Sequence, residues 1–452
     1  MLDYLLINAK IADPCSSAEF EGSLGVLDGK IDGLYRAGVP LPSAKSVIDA
    51  EGGFLMPGFI DVHAHCENDI HCAEMLLAMG VTTAVSGNCG YSAVDFKKFF
   101  SKYENGGYPV NQLEQVGHGI LRKKAGQRDI FAPADDRQIE KMKRSAAESF
   151  SAGACGLSFG IEYDPGTSTE ELVELSQVAS DNGKFVSIHA RLLHLEDFNS
   201  LREALDLAEI TGAAVIYSHL AYMYANDALK KALEIFTEYR KKNSSIWVDS
   251  GMYTAFSTIA GSPGYGEDIF LDNESEIRKL RGATGKYTGQ ILDREKYIEM
   301  RKFFPNDFMI YDPGNPDDIY VAYSHPDVMV STDCIVYPPG QGHPQGAATY
   351  PYFFRKLVRE RKQFTMLEAV KRCTLIPALA CGLETKGRLT PGMDADLVVL
   401  DWERLREHAD FPGMGDPEAP PSGVKHVFVN GVLSVCNEKR IPGVLAGRNI
   451  RR

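Results

Sequence analysis

The 452-residue sequence predicts an α/β protein, a (β/α)₈ barrel of the TIM type with a small β-sandwich domain built from both chain ends. Three observations carry that expectation. Short strand-like runs alternate with helix-like segments through the middle of the chain. Both ends read instead as strands joined by tight turns. Histidine, cysteine and aspartate recur where the middle strands end, which is where a barrel exposes its reactive side chains. A doubly wound open sheet is the rival arrangement.

Residues 1–54 open with Tyr4-Leu5-Leu6-Ile7, followed by Ser23–Leu27 and Lys30–Tyr35 on either side of Asp28-Gly29, a hairpin signal. Residues 385–452 have the same character, with strands at Asp396–Asp401 and Val427–Val435, the second turning at Asn430-Gly431. Because the termini of a domain often lie together, the two fragments are expected to complete one sandwich. Residues 55–384 hold eight strand candidates: Gly58–Val62, Val81–Val85, Gln115-Val116, Ala154–Phe159, Lys184–Ile188, Ala213–Tyr217, Ile246–Val248 and Val328–Val330. Two intervening helices carry start signals. Ser168 and Glu171 are spaced as a capping box ahead of Leu172, Leu175, Val178 and Ala179, and Ser200 with Glu203 repeats the spacing. The stretch 252–325, rich in Gly, Pro, Tyr and Asp, reads as a lid or substrate loop.

A formal net charge of −13 argues against nucleic acid or an anionic membrane as partner and leaves a small molecule. No apolar run approaches the ~18 residues of a membrane span. The N-terminus lacks the basic region and cleavage site of a signal peptide, so a cytoplasmic protein is expected. The nine cysteines show no paired spacing and read as reduced thiols, mostly core, with one metal ligand among them. A homo-oligomer is compatible with all of this.

The chemistry centres on Pro57-Gly58-Phe59-Ile60-Asp61-Val62-His63-Ala64-His65. Residues i and i+2 of a strand share a face, so His63 and His65 can share a metal ion. The second strand runs to Cys89, the fifth to His189, the sixth to His219 and the eighth to Asp333. Each alone is more often a packed structural residue than a ligand. Together, at one kind of position, they point to a metal site.

Phe59–His65 together with Gly387-Arg388-Leu389-Thr390-Pro391-Gly392-Met393-Asp394-Ala395-Asp396-Leu397-Val398 resembles the metal-dependent amidohydrolase superfamily. Gly80-Val81-Thr82-Thr83, Gly87-Asn88-Cys89-Gly90, Gly117–Arg122, Gly156–Tyr163, His189-Ala190-Arg191, Ser218-His219 and His343-Pro344 are similar to its N-acyl-D-amino-acid deacylase branch. The resemblance spans nearly the whole chain. It implies one tightly held Zn²⁺ on Cys89, His189 and His219, and an adjoining half-site of His63, His65 and Asp333 with room for a second, weaker divalent metal. Other branches bridge their metals with a carboxylated lysine after the fourth strand. Leu157-Ser158-Phe159-Gly160 offers none, and Cys89 would take that role. Cys66 and Cys334 match no ligand position and read as packing residues.

The implied reaction is hydrolysis of a C–N amide bond by metal-activated hydroxide, with Asp333 as the catalytic proton shuttle. Two cations that hold the substrate's α-carboxylate in the branch are replaced here by Gln345 and Ala221, so a neutral or differently charged amide is expected. Arg191, Gln345, Tyr222 and His118 are the expected substrate-site residues, with Arg122 or Arg281, Lys286 and Lys302 of the lid able to supply charge. The alternatives are a cyclic-amide hydrolase of the hydantoinase or dihydroorotase kind, a deaminase using an acid such as Glu196, and a non-catalytic metal-binding barrel.

Overall fold

The computed structural model describes residues 1–102, 104, 106–191 and 197–452. Both chain ends enter one nine-stranded mixed sheet, ordered Lys439–Arg440, Val432–Cys436, Val424–Val429, Leu397–Leu400, Phe54–Pro57, Leu2–Ile11, Phe20–Leu27 and Lys30–Arg36, with Ala44–Asp49 also paired to Leu2–Ile11. Both predicted hairpin turns form. Asp28 and Gly29 have φ of 49° and 76°, and Asn430 and Gly431 have 49° and 78°, the paired left-handed residues of a type I′ turn. The seam between the two ends is the antiparallel pairing of Leu397–Leu400 with Phe54–Pro57, so this last strand straddles the boundary expected at residue 54. The ladder runs as one continuous sheet through both ends, where two layers were expected. Alternate residues such as Leu24 and Val26, or Leu397 and Val399, bury one common core with Leu6, Ile11, Leu55 and Phe428.

The middle of the chain supplies the parallel strands. Phe59–Asp61, Val81–Ser86 and Asn111–Glu114 form one ladder, and Val116–Gly117, Gly156–Gly160, Phe185–His189, Val215–Tyr217, Ile246–Ser250 and Val328–Val330 form another. The third predicted strand is longer than Gln115-Val116 and breaks at Gln115, whose side chain donates to Asn88 Oδ1 at 2.8 Å. Among the described residues no ladder joins Val328–Val330 to Phe59–Asp61. The chain just beyond them makes the connection: Cys334–Ile335 pairs in parallel with Ala64–His65, and Thr332 donates its N–H to Asp61 at 3.1 Å.

The helices start differently from their sequence signals. Thr169–Asp181 is capped by Ser168, whose hydroxyl accepts from the Glu171 N–H at 3.1 Å, and it buries Leu172, Leu175 and Ala179 on one face. The Glu171 carboxylate does not return to the cap; it is buried against Arg122 and His118. Phe198–Thr211 is capped by Asp197 rather than Ser200, because Glu203 is engaged by Arg191. The stretch 252–325 is a folded unit and not a loop. Phe256–Ile259, Phe308–Tyr311 and Leu280–Gly282 form an antiparallel sheet over a core that includes Tyr265, Phe270, Tyr297 and Met309. Among the described residues no helix is long and apolar enough to cross a membrane.

Candidate metal centre

The six predicted ligands sit at, or just past, the ends of parallel strands, and three of them have an uncommon backbone. Cys89, His219 and Asp333 adopt φ of 53°, 38° and 50°. The left-handed region costs an L-residue roughly 1–2 kcal/mol, and it persists only where the surroundings over-determine it. Two of these turns are pinned through the backbone: His219 N–H donates to Asp249 Oδ1 at 3.0 Å, and Asp333 N–H to the His63 carbonyl at 2.8 Å. Ahead of Cys89 the strand bends at Gly87, at φ 78°, where a Cβ would lie 2.3 Å from the Gln115 carbonyl oxygen. Only glycine fits that approach.

The resulting geometry brings the ligand atoms of His63, Cys89 and His219 within 4.8 Å of one another, and likewise those of His63, His65 and Asp333. His63 Nε2 lies 3.2 Å from Cys89 Sγ and 3.4 Å from Asp333 Oδ1. His65 Nε2 is 3.3 Å from the same carboxylate oxygen, and Cys89 Sγ is 3.7 Å from His219 Nε2. The His189 ring packs 4.5 Å from that of His219. All of them but the wholly buried His63 line a cleft of about 480 Å³, together with Glu67, Tyr91, Glu162, Tyr163, Tyr222, Phe256 and Phe308.

The electrostatics favour cation binding. Burial alone pushes the Cys89 thiol up, but the charges of His63 and His189 outweigh it and hold the thiol well below its usual range. Burial likewise raises the Asp333 carboxyl, and His65 and His63 reverse this and leave it lowered. Burial opposes charge on His189, yet Cys89 and Glu162 push it up to about 10. A thiolate and a carboxylate that hold protons on their imidazole neighbours make a site where a divalent cation displaces those protons and takes their place. Nδ1 of His189 is buried without a hydrogen-bond partner while its Nε2 faces Glu162, which also fits a bound metal.

Two residues missed in the sequence support these ligands. Asp249, buried at the end of the seventh strand, accepts from His219 N–H and from the Ser331 hydroxyl at 2.6 Å, and its Oδ2 lies 3.6 Å from His63 Nδ1. The signal was there: Trp247 and Asp249 share a face in a strand that runs two residues beyond Val248. Glu162 Oε2 lies 3.0 Å from His189 Nε2 and so orients that ring.

Of the predicted substrate residues, Tyr222 lines the cleft and the others do not. His118 is wholly buried, 2.7 Å from Glu171 Oε1 and packed on Phe159. Arg191 is engaged by Glu203 and by the carbonyls of Pro165 and Thr167. Gln345 accepts from the Tyr222 hydroxyl at 2.9 Å and donates to the Asp333 carbonyl, so it braces two site residues and leaves no free face for substrate. Arg122 is paired with Glu171. The lid cations turn elsewhere as well: Arg281 to the Gly289 and Pro412 carbonyls, Lys286 to Glu299, and Lys302 over the Phe303 ring. Cys66 and Cys334 are buried, as expected of packing residues. Glu196 lies outside the described residues.

Models of the amidohydrolase family match residues 54–206 and 324–435, which include His63, His65 and Asp333. The chain belongs to the amidohydrolase family. It is 26% identical over 492 aligned positions to N-acyl-D-aspartate deacylase of Alcaligenes xylosoxydans xylosoxydans, covering 95% of this chain and 91% of that one. D-aminoacylase of the same organism is 25% identical, over 100% and 98% of the two chains. The solved N-acyl-D-glutamate deacylase of Bordetella bronchiseptica, complexed with zinc and a phosphonate inhibitor, superposes with a TM-score of 0.85 at 24% identity and full coverage of both chains. The amidohydrolase assignment makes this chain a metal-dependent hydrolase of carbon–nitrogen bonds other than peptide bonds.

Proposed function

We propose that this chain is a zinc-dependent deacylase of N-acyl amino-acid-like compounds, related in chemistry to the deacylases it is similar to. The observation that carries the reading is the pair of ligand triads that share His63, one supplied with a thiol and the other with a carboxylate. Soft sulfur and imidazole donors suit zinc. Cys89, His189 and His219 would hold it tightly, and His63, His65 and Asp333 would offer a second, weaker divalent site. A bound zinc would supply the Lewis acidity that polarises an amide carbonyl and makes water nucleophilic near neutral pH. Asp333, held low by His65 and His63 despite its burial, then takes the water proton and returns it to the leaving nitrogen. Asp249 and Glu162 keep the His63 and His189 rings turned to the site, and Gln345 holds the chain at Asp333.

The same reading closes the parallel strands into a barrel. Ile60, Val62, Val85, Leu113, Cys155, Phe185, Ile216, Trp247 and Met329 come from at or beside every parallel strand and form one buried cluster, as the interior layer of a barrel does. It also keeps the division into two end segments and a middle one, with the boundary expected at residue 54 moved past Pro57, a cytoplasmic setting, and a small-molecule amide as partner, a homo-oligomer being compatible. The reading is tested by amine release from N-acyl-D-amino acids and their amides before and after chelation. Loss of turnover on chelation and recovery with zinc is expected; turnover indifferent to chelation would overturn it.

A further inference from the structure

The inserted unit supplies the cleft with an apolar wall. Phe256 and Ile259 come from one of its strands and Phe308 from the next, with Ile259 and Phe308 directly opposed in the ladder. Ile335 and Val336 continue this surface, and at the rim Tyr91 and Val336 are 44% and 39% exposed. Apolar side chains left open around a cleft mark a place where an apolar group is meant to be covered.

Apart from the metal site and its imidazoles, the charged side chains lining the cleft have one sign. Glu67, Glu162 and Asp333 line it, and no lysine or arginine does so among the described residues. The residues outside that description, Tyr103, Asn105 and Leu192–Glu196, include no lysine or arginine either. Glu67 accepts from the Gly87 N–H at 2.8 Å and stands 4.0 Å from His65 Nδ1. Two cations touch lining residues without lining the cleft themselves: Lys102 donates to the Asn68 carbonyl, and Lys123 lies 5.7 Å over the Tyr91 ring. A carboxylate entering beyond the metal and its imidazoles would meet Glu67 and Glu162 with no lysine or arginine to repay its lost water, which is discrimination by repulsion.

We propose that the substrate is an amide with a bulky apolar group seated on Phe256, Ile259 and Phe308 and with no free carboxylate beside the scissile bond. The proposal rests on the amide-hydrolase reading and narrows its substrate. It separates this chain from relatives whose names specify aspartate and glutamate derivatives, which carry free carboxylates.

The test uses the zinc-loaded full chain and four matched compounds: N-acetyl- and N-hexanoyl-D-phenylalanine and the primary amide of each. Turnover is read as kcat/KM on the wild type, and binding by calorimetry on Asp333→Asn. Each amide should exceed its acid, and each hexanoyl compound its acetyl partner, by about tenfold or more. Phe308→Ala should draw the hexanoyl-to-acetyl ratio toward one, and Glu67→Gln should narrow the amide-to-acid ratio. Turnover with acids equal to or better than amides would overturn the proposal while leaving amide hydrolysis standing, and loss of that preference in Lys123→Ala would name Lys123 as the cation responsible. If nothing turns over but the variant binds in the stated order, the substrate proposal holds and the hydrolytic reading falls. Binding without preference and without turnover overturns both.

Discussion

In the proposed reaction Asp333 carries the proton. Its carboxylate lies within 3.4 Å of both His63 and His65 and lines the cleft. Asp333→Asn should therefore keep the tightly bound metal on Cys89, His189 and His219 and lose on the order of 10²–10⁴ in turnover, measured by elemental analysis and initial rates on the same preparation. Asp249 acts one step back. Asp249→Ala leaves the His219 N–H and Ser331 hydroxyl without their acceptor and His63 without its neighbour, so a stability loss of about 1–3 kcal/mol in denaturant unfolding is expected together with a weaker metal. The histidines were legible in the sequence because strand period places i and i+2 on one face. Gln345, Arg191 and His118 were misread because a polar residue in a motif does not disclose its partner, and Gln345 finds Tyr222 at 123 residues' separation. The left-handed turns at Cys89, His219 and Asp333 carried no sequence signal, since none is a glycine.

At the scale of elements, the junction between His118–Ala125 and Thr169–Asp181 rests on a buried ion pair. Arg122 donates twice to Glu171, at 2.8 and 2.9 Å, with both side chains almost wholly buried. Removing one partner strands the other charge, so Glu171→Ala should destabilise the fold by about 3–5 kcal/mol in denaturant unfolding. A capping-box pattern suggested a local role for Glu171, and a tertiary partner claimed it. The end sheet carries a pH dependence of its own. Burial, and then Lys425, lower His426 from 6.5 to about 4. Between those values the unfolded chain binds the extra proton, so His426 contributes stability above pH 6.5 that is lost as pH falls toward 4. Melting temperatures recorded across that window should fall less steeply for His426→Gln than for the wild type.

For the whole molecule, the sequence disclosed eight parallel strands between two β-rich ends, because both strand alternation and hairpin turns are local signals. How the ends meet was not local. A sheet fragment in sequence does not say whether a second fragment will add to its edge or lie on its face, and here Leu397–Leu400 adds to the edge offered by Phe54–Pro57. The C-terminal tail makes a second long-range tie: Gln112 N–H donates to the Arg448 carbonyl, Ile450 N–H donates to that of Gln112, and Asn449 reaches the Phe100 carbonyl at 2.6 Å. Truncation after Pro442 should lower the melting temperature by roughly 5 °C while leaving metal content unchanged, because the tail supports the strands from outside the ligand set.

A catalytic zinc held on the Cys89 side of the site is tested by zinc content and amide turnover measured on one preparation each of wild type and Cys89→Ala. The wild type should retain zinc through exhaustive dialysis and hydrolyse its amide, whereas folded Cys89→Ala, checked by circular dichroism, should lose both. Full zinc retention with normal turnover in that variant would contradict the account.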